Sequence, residues 1–273
     1  MPTINEATVD KARRILNIHK TSQGAVRPHF WLLGPSGSGK TFNIKELCEE
    51  LMLDFVEINC ASLTKEGISG LSLSKALTQL AGLANRPCVV FCDEFDKLLI
   101  SGNTNDQLSH ESTNGVQNEF LKVLEGDTAK AFGDYGKYNE VQVGNCLFVF
   151  SGAFNGETEI DVDDLMKMGV KTEFLGRVPL VYNLLKPSLE EMLEKLRNSN
   201  LLEDYLSLMP EANRGKAIKT ISDQVRKKYD SNVLGMRLLN ALIHRYFIDG
   251  ESKPNGSSPR FAQTLDFASG KVK

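Results

Sequence analysis

The sequence predicts an α/β fold: a parallel sheet flanked by helices, followed by a small all-helical domain. Three observations predict it. Short continuous apolar runs (Phe30 to Leu33, Cys88 to Cys92, Cys146 to Phe150) alternate with stretches of helical period, the signature of strands buried on both faces. The stretch GPSGSGKT, Gly34 to Thr41, sits between the first of these strands and a helix-like segment. After Pro179 the strand signals stop and helical periodicity alone continues.

Taken in order, Thr8 to His19 places Val9, Ala12, Ile15 and Leu16 on one helical face, and Gln23-Gly24 ends it. Phe30 to Leu33 is a strand, Thr41 to Leu53 a helix, and Phe55 to Asn59 a second strand carrying β-branched Val56 and Ile58. Leu71 to Ala84 reads as a helix, Cys88 to Cys92 as a buried strand and Gly115 to Leu124 as a helix. Between them Ser101 to Asn114 is a polar loop, in which His110 reads as solvated. Cys146 to Phe150 is a strand closed by Ser151-Gly152. Helices follow over Leu189 to Arg197, Leu201 to Leu208, Ala217 to Tyr229 and Val233 to Phe247, the first opened by a capping box of Ser188 and Glu191. The boundaries this gives are a large α/β unit over 1–185, a helical unit over 186–250, and a polar, turn-rich tail over 251–273 that stays poorly ordered.

Composition narrows the function. Hydrophobic content of 41% and charged content of 25% are those of a globular chain. With 32 basic and 35 acidic residues, a net charge of −3 provides no global field to hold nucleic acid. The five cysteines contain no C-x-x-C pair, and three lie in apolar runs, which suits buried hydrophobes in a reducing compartment better than metal ligands or disulfides. The start, MPTINEATVDKARRI, has no apolar signal region, and no apolar run approaches the ~20 residues of a membrane span. A cytoplasmic protein is expected, in the host cytoplasm if the gene is a phage's.

Chemistry concentrates in four places. In Gly34-x-x-x-x-Gly39-Lys40-Thr41, glycines let successive N–H groups face one point, to which the following helix adds its positive end. Gly34, Pro35, Ser36, Gly37, Ser38, Gly39, Lys40 and Thr41, with Phe42 on the first helical turn, form the nucleotide cradle; Lys40 reaches the β and γ phosphates and Thr41 gives an oxygen to Mg²⁺. The strand Val89 to Cys92 ends in Asp93-Glu94, and ligands sit beyond the carboxyl ends of parallel strands, so both acids emerge beside the phosphates. Asp93 then serves the metal while Glu94 polarises the attacking water, which points to hydrolysis. At the exit of the strand Cys146 to Phe150, either Ser151 or Asn155 is placed to bond the γ-phosphate or the water, although a plain Ser-Gly turn fits the same spacing. Arg177, between Gly176 and Pro179, reads as lying in an exposed turn, and Arg237 lies early in the last long helix. By themselves both fit ordinary surface arginines.

Taken together, these motifs resemble the AAA+ ATPases, and within them the ClpX/HslU class of protein unfoldases. The closer likeness rests on CDEFDKL (Cys92 to Leu98), GVQNEFLKVLEG (Gly115 to Gly126), NCLFVFSGAFNG (Asn145 to Gly156) and DLMKMGVKTEFLGRVPLV (Asp164 to Val181), and spans about Phe30 to Asp249. The resemblance implies ATP as substrate with Mg²⁺, a helical lid, Arg177 as a finger acting on the neighbouring subunit's nucleotide, Arg237 as a second sensor, and a hexameric ring. It also places a substrate-gripping pore loop at Gly67, Ile68, Ser69 and Gly70, where Ile68 replaces the expected aromatic ring and Ser69 an apolar residue. A second pore-facing loop falls in Ser101 to Asn114. The peptidase-docking insertion between Phe154 and Asp164, the zinc-binding N-terminal domain and a Gly-Gln adenine box are not found, so no peptidase of the ClpP type is expected as partner. These departures suit a pared-down relative carried by a phage or mobile element.

Two functions remain. The first is an ATP-driven remodeller of a protein or protein complex; the second is a ring ATPase acting on nucleic acid in replication, recombination or transposition. Only Lys65, Lys75 and Arg226-Lys227-Lys228 speak for the second, and basic clusters on helices are mostly solvated faces. Protein cargo is favoured.

Overall fold

The computed structural model describes residues 3–64, 71–83, 86–100, 107–133 and 137–250. They fall into two compact units, one ending at Lys186 and the other beginning at Pro187.

In the first unit, α1 (Ile4–Thr21) opens with a capping box in which Thr3 and Glu6 satisfy each other's backbone N–H groups. The chain turns away through Gln23 and Gly24, at φ 53° and 84°. A Cβ on Gly24 would stand 2.8 Å from Asn145 Cβ, so glycine alone fits. There follow β1 (Phe30–Leu33), α2 (Lys40–Leu51), β2 (Asp54–Asn59), α3 (Leu73–Ala76), β3 (Cys88–Asp93), α4 (Phe95–Ile100) and α5 (Gln107–Glu125). A hairpin, β4 (Thr128–Phe132) and β5 (Tyr138–Gln142), leads to β6 (Cys146–Gly152), α6 (Val162–Lys167), α7 (Thr172–Arg177) and β7 (Leu180–Asn183).

Five strands form one all-parallel sheet in the order β2-β3-β6-β1-β7. Because strand side chains alternate in direction, the register sorts them into two cores. Trp31, Val90, Cys92, Phe148 and Phe150 enter one, with Phe95, Phe120 and Phe174 from the helices. Phe30, Leu32, Val89, Phe91, Leu147 and Val149 enter the other, with Leu16, Ile44 and Leu47 from α1 and α2. The first core is aromatic at its centre: ring centroids lie 5.1 Å apart for Trp31–Phe95 and 4.9 Å for Phe150–Phe174, and Trp31 Nε1 donates to Val178 O at 3.0 Å. The registers Leu32↔Ser151, Leu33↔Gly152 and Asn59↔Asp93 bring the carboxyl ends of these strands to one edge.

Four elements differ from expectation. β7 follows Pro179, where strand signals were expected to have stopped; a four-residue, half-buried strand at the sheet edge is too short for its period to register. Leu71 to Ala84 is not one helix, since α3 has four residues and a 3-10 turn, Leu77–Gly82, follows; the buried Leu73, Ala76, Leu77 and Leu80 suit either winding. α5 begins at Gln107 inside the expected polar loop, because the sequence of its first turns, QLSHESTN, holds one apolar residue, too few to show a helical period. The hairpin went unpredicted, as only Ala131 and Val141 of its strands are fully buried.

The second unit contains α8 (Leu189–Arg197), α9 (Asn200–Leu208), α10 (Arg214–Lys228) and α11 (Arg237–Ile248). Ser188, Ser199 and Asn213 cap the first three, Ser188 through the expected box with Glu191. Their apolar stripes meet in one core that includes Met192, Leu196, Leu202, Ile221, Val225, Leu242 and Ile243. α11 starts later than the pattern from Val233 suggested, and Val233 itself is exposed. The tail over 251–273 lies outside the described residues. Among the described residues no helix is long and apolar enough to cross a membrane.

Candidate nucleotide site

The loop after β1 is shaped by its glycines. Gly34, Gly37 and Gly39 have φ of 147°, 75° and 94°. A Cβ on Gly34 would lie 2.2 Å from Leu184 O, so this position must be glycine for β1 and the residue after β7 to approach. Gly39 caps α2, a twelve-residue helix that has no side-chain cap, and helix starts of this kind attract anions.

Lys40 is almost fully buried and its ammonium donates to Gly34 O at 2.7 Å and Pro35 O at 3.1 Å. The positive charge thus lies within the loop itself. Ser38 Oγ is buried with no hydrogen-bond partner among the described residues, an acceptor and donor facing inward at the same loop. A loop with a buried cation, an unused hydroxyl and a helix start that no side chain caps fits a polyphosphate.

Asp93, at the end of β3, gathers three groups. Its Oδ2 accepts from Thr41 Oγ1 at 3.2 Å, and its Oδ1 accepts from Ser151 Oγ at 3.0 Å and from the Glu94 N–H at 2.9 Å. Its negative charge reaches further: the Glu57 carboxyl on β2 is pushed up by desolvation first and by Asp93 next, against the pull of Lys45. Thr41 with Asp93 offers hydroxyl and carboxylate oxygens, the donor set that suits Mg²⁺. Among the described residues no group of three His, Cys, Asp or Glu side chains is placed to hold a metal by itself. Burial pushes the Cys48 thiol up to about 12 and raises that of Cys60, keeping both protonated.

Glu94 is exposed and sits at φ 56°, a left-handed conformation that costs a non-glycine residue about 1 kcal/mol or more. Next to it the exit of β6 is also unusual: Phe154, Asn155 and Gly156 have φ of 42°, 58° and 81° in succession. Ser151 and Asn155 therefore stand apart. Ser151 is fully buried against Asp93, whereas Asn155 projects from the left-handed turn and is exposed. Asp96, a residue sequence reasoning passed over, is 2% exposed and accepts from the Ala153 N–H at 3.3 Å.

The remaining expected residues are more dispersed. Pro35 and Gly37 are half-buried, and Ser36 and Phe42 exposed. Arg177 closes α7 instead of lying in a turn, because the helical period continues from Thr172 through Gly176 and breaks only at Val178, before Pro179. It is about half exposed and pairs with Glu125 at 2.7 Å. Arg237 is the first residue of α11 in the second unit and is exposed. Gly67, Ile68, Ser69 and Gly70 lie outside the described residues, although the stems flanking them meet: Thr64 N donates to Leu71 O at 2.8 Å and Leu63 bridges Leu71. His110 belongs to α5, and its side chain lies outside the described residues.

The parallel sheet, the loop with its buried lysine and the acidic strand end beside it define a phosphate-loop ATPase. Residues 30–169 match the family described as "ATPase family associated with various cellular activities (AAA)", and the chain belongs to that family. It is similar to the "ATP-dependent Clp protease ATP-binding subunit ClpX" of Treponema denticola, 25% identical over 256 residues that cover 89% of this chain and 60% of that protein. The proteins of the same name in Borrelia duttonii and Borrelia recurrentis are each 26% identical over 248 residues, 74% of this chain and 58% of theirs. The chain spans about 60% of the length of these curated relatives.

Proposed function

We propose that this ATPase is a ClpX-like ring motor that couples ATP hydrolysis to unfolding or remodelling of a protein or protein complex, with no attached ClpP-type peptidase. The observation that carries the reading is the Asp93 carboxylate, held by Thr41 and Ser151 with Glu94 exposed beside it. In this reading Lys40 exchanges the carbonyls of Gly34 and Pro35 for the phosphates, and the start of α2 binds the same oxygens. Thr41 and Asp93 would hold Mg²⁺, which when bound neutralises charge developing on the transferring phosphoryl group. Glu94 orients and polarises the attacking water, and Ser151 fixes Asp93 from the strand side. Asn155, exposed on its turn, is the group free to face the γ-phosphate or the water. Arg177 acts in trans on the next subunit's nucleotide, which requires a ring of the hexameric kind, and Arg237 reports from the helical lid.

Ile68 and its neighbours would line the pore. The passage from β6 to α6 runs directly from Ala153 to Asp161, which leaves no room for a docking insertion there and supports a motor working without that peptidase. The alternative, nucleic acid in the pore, draws on Arg226, Lys227 and Lys228. These occupy the last turn of α10, where cations are favoured by the helix dipole whatever the ligand.

The deciding measurement is the ATPase rate with unfolded protein, duplex DNA and single-stranded DNA, at two salt concentrations. Stimulation by unfolded protein is expected. Salt-sensitive stimulation by DNA alone overturns the reading.

A further inference from the structure

The end of β3 reaches the end of β6 through two carboxylates, not one. Asp93 bonds Ser151 Oγ at 3.0 Å, and Asp96 bonds the Ala153 N–H at 3.3 Å. Gly152 lies between the two gripped residues and has no room for a side chain: a Cβ there would stand 2.8 Å from Asp96 Oδ1 and 2.6 Å from the Phe154 ring. Glu94 lies between the two acids on the other segment. The contact therefore clamps the stretch that presents Glu94 to the stretch that turns left-handed through Phe154, Asn155 and Gly156.

Asp96 is poorly placed to stabilise the fold. It is 2% exposed, and among the described residues its Oδ2 has no hydrogen-bond partner and only Lys97 Nζ, at 3.4 Å, pairs with that oxygen. A buried carboxylate with so few partners costs free energy, whereas an apolar residue of similar size would not. What the carboxylate supplies is a link. We propose that Asp96 is a positioning residue for hydrolysis: by holding Ala153 it fixes the turn that carries Asn155 against the segment that presents Glu94. This rests on the ATPase reading and adds a residue to it.

The test uses the full chain, with steady-state ATP hydrolysis and, separately, affinity for a fluorescent non-hydrolysable ATP analogue. Asp96→Ala removes the acceptor and should lower kcat about tenfold, a loss typical of small misplacements in a preorganised site, with KM and analogue affinity within about twofold. Asp96→Asn keeps an oxygen for Ala153 and should restore kcat to within about twofold of wild type. Gly152→Ala attacks the same contact from the other side and should also lower kcat with affinity retained. The proposal is overturned if Asp96→Ala keeps wild-type kcat, if affinity falls as far as kcat, or if Asp96→Asn is as impaired as Asp96→Ala. Should Asp96→Ala fail to fold, Asp96→Asn and Gly152→Ala decide it on the same readings. A wild-type chain that binds the analogue but hydrolyses no ATP overturns the ATPase reading and this proposal with it; a hydrolysing wild type beside an unaltered Asp96→Ala overturns this proposal alone.

Discussion

Thr41 Oγ1 stands 3.2 Å from Asp93 Oδ2, although 52 residues separate them in the chain. The contact joins the first turn of α2 to the end of β3, two elements that share no strand pairing but emerge at the same edge of one parallel sheet. It brings a hydroxyl and a carboxylate to the place where the loop's buried lysine and the start of a helix already gather positive charge.

Thr41→Ala should therefore weaken metal use more than nucleotide binding. With the hydroxyl gone, the Mg²⁺ concentration giving half-maximal ATPase rate rises about tenfold, a loss of roughly 1.4 kcal/mol, while affinity for metal-free nucleotide stays within about twofold. A magnesium titration of the ATPase rate checks it, and an unchanged midpoint would remove Thr41 from the metal site.

Glu94→Gln should bind ATP normally and turn over at least about a hundredfold more slowly, since it loses the charge that polarises water but keeps its size. Phosphate release measured beside nucleotide affinity separates the two. Hydrolysis at the wild-type rate would end the assignment.

Arg177→Ala should leave the melting temperature nearly unchanged, because its pair with Glu125 is half exposed on both sides and such pairs contribute about 0–1 kcal/mol. ATPase activity should nevertheless fall by about a thousandfold or more if the guanidinium serves a neighbour's nucleotide. Mixing Arg177→Ala with Glu94→Gln chains should recover part of the rate, since some interfaces then combine an intact carboxylate with an intact arginine. A rate in the mixture no higher than in either variant would count against a shared site.

Acid should destabilise the first unit through His29. The Phe148 N–H donates to His29 Nδ1 at 3.0 Å, so the ring is held neutral, and burial, with Arg27 and then His19 adding to it, lowers its pKa from 6.5 to about 3. The folded chain then binds fewer protons than the unfolded chain between those values, so stability is lost as pH falls through that window. His19, which faces Val26 O and Cys88 O, is also lowered by burial and acts in the same direction. From pH 6.5 to 5 the His29 share is about 2 kcal/mol, or roughly 4–8 °C in melting temperature. His29→Asn keeps an acceptor for Phe148 and should show a visibly shallower decline; equal slopes would place the effect elsewhere.

Much of this site could be read from the chain before its coordinates, and the reason is local. The strand–loop–helix context of Gly34 to Thr41 and the apolar run ending in Asp93-Glu94 are contiguous, so spacing and flanking pattern suffice to place them at one sheet edge. What spacing cannot show is which side chains meet. Ser151 rather than Asn155 bonds Asp93 because Ser151 is still in the strand, whereas Asn155 lies beyond it, in the middle of three successive left-handed residues. Asp96 escaped notice because its partner is a backbone N–H at residue 153, a contact that leaves no mark on either stretch. β7 and the β4–β5 hairpin were missed since so few of their residues are buried that neither run presents an apolar period.

The place of β1 in the sheet has a consequence for biosynthesis. During synthesis Phe30 to Leu33 find their two neighbours only in residues 146–152 and 180–183. Until the first of them is made, a wholly apolar strand waits unpaired through more than a hundred further residues of synthesis. Truncation before Asn183 should yield aggregation-prone fragments, and translational pausing near that point should favour a soluble product.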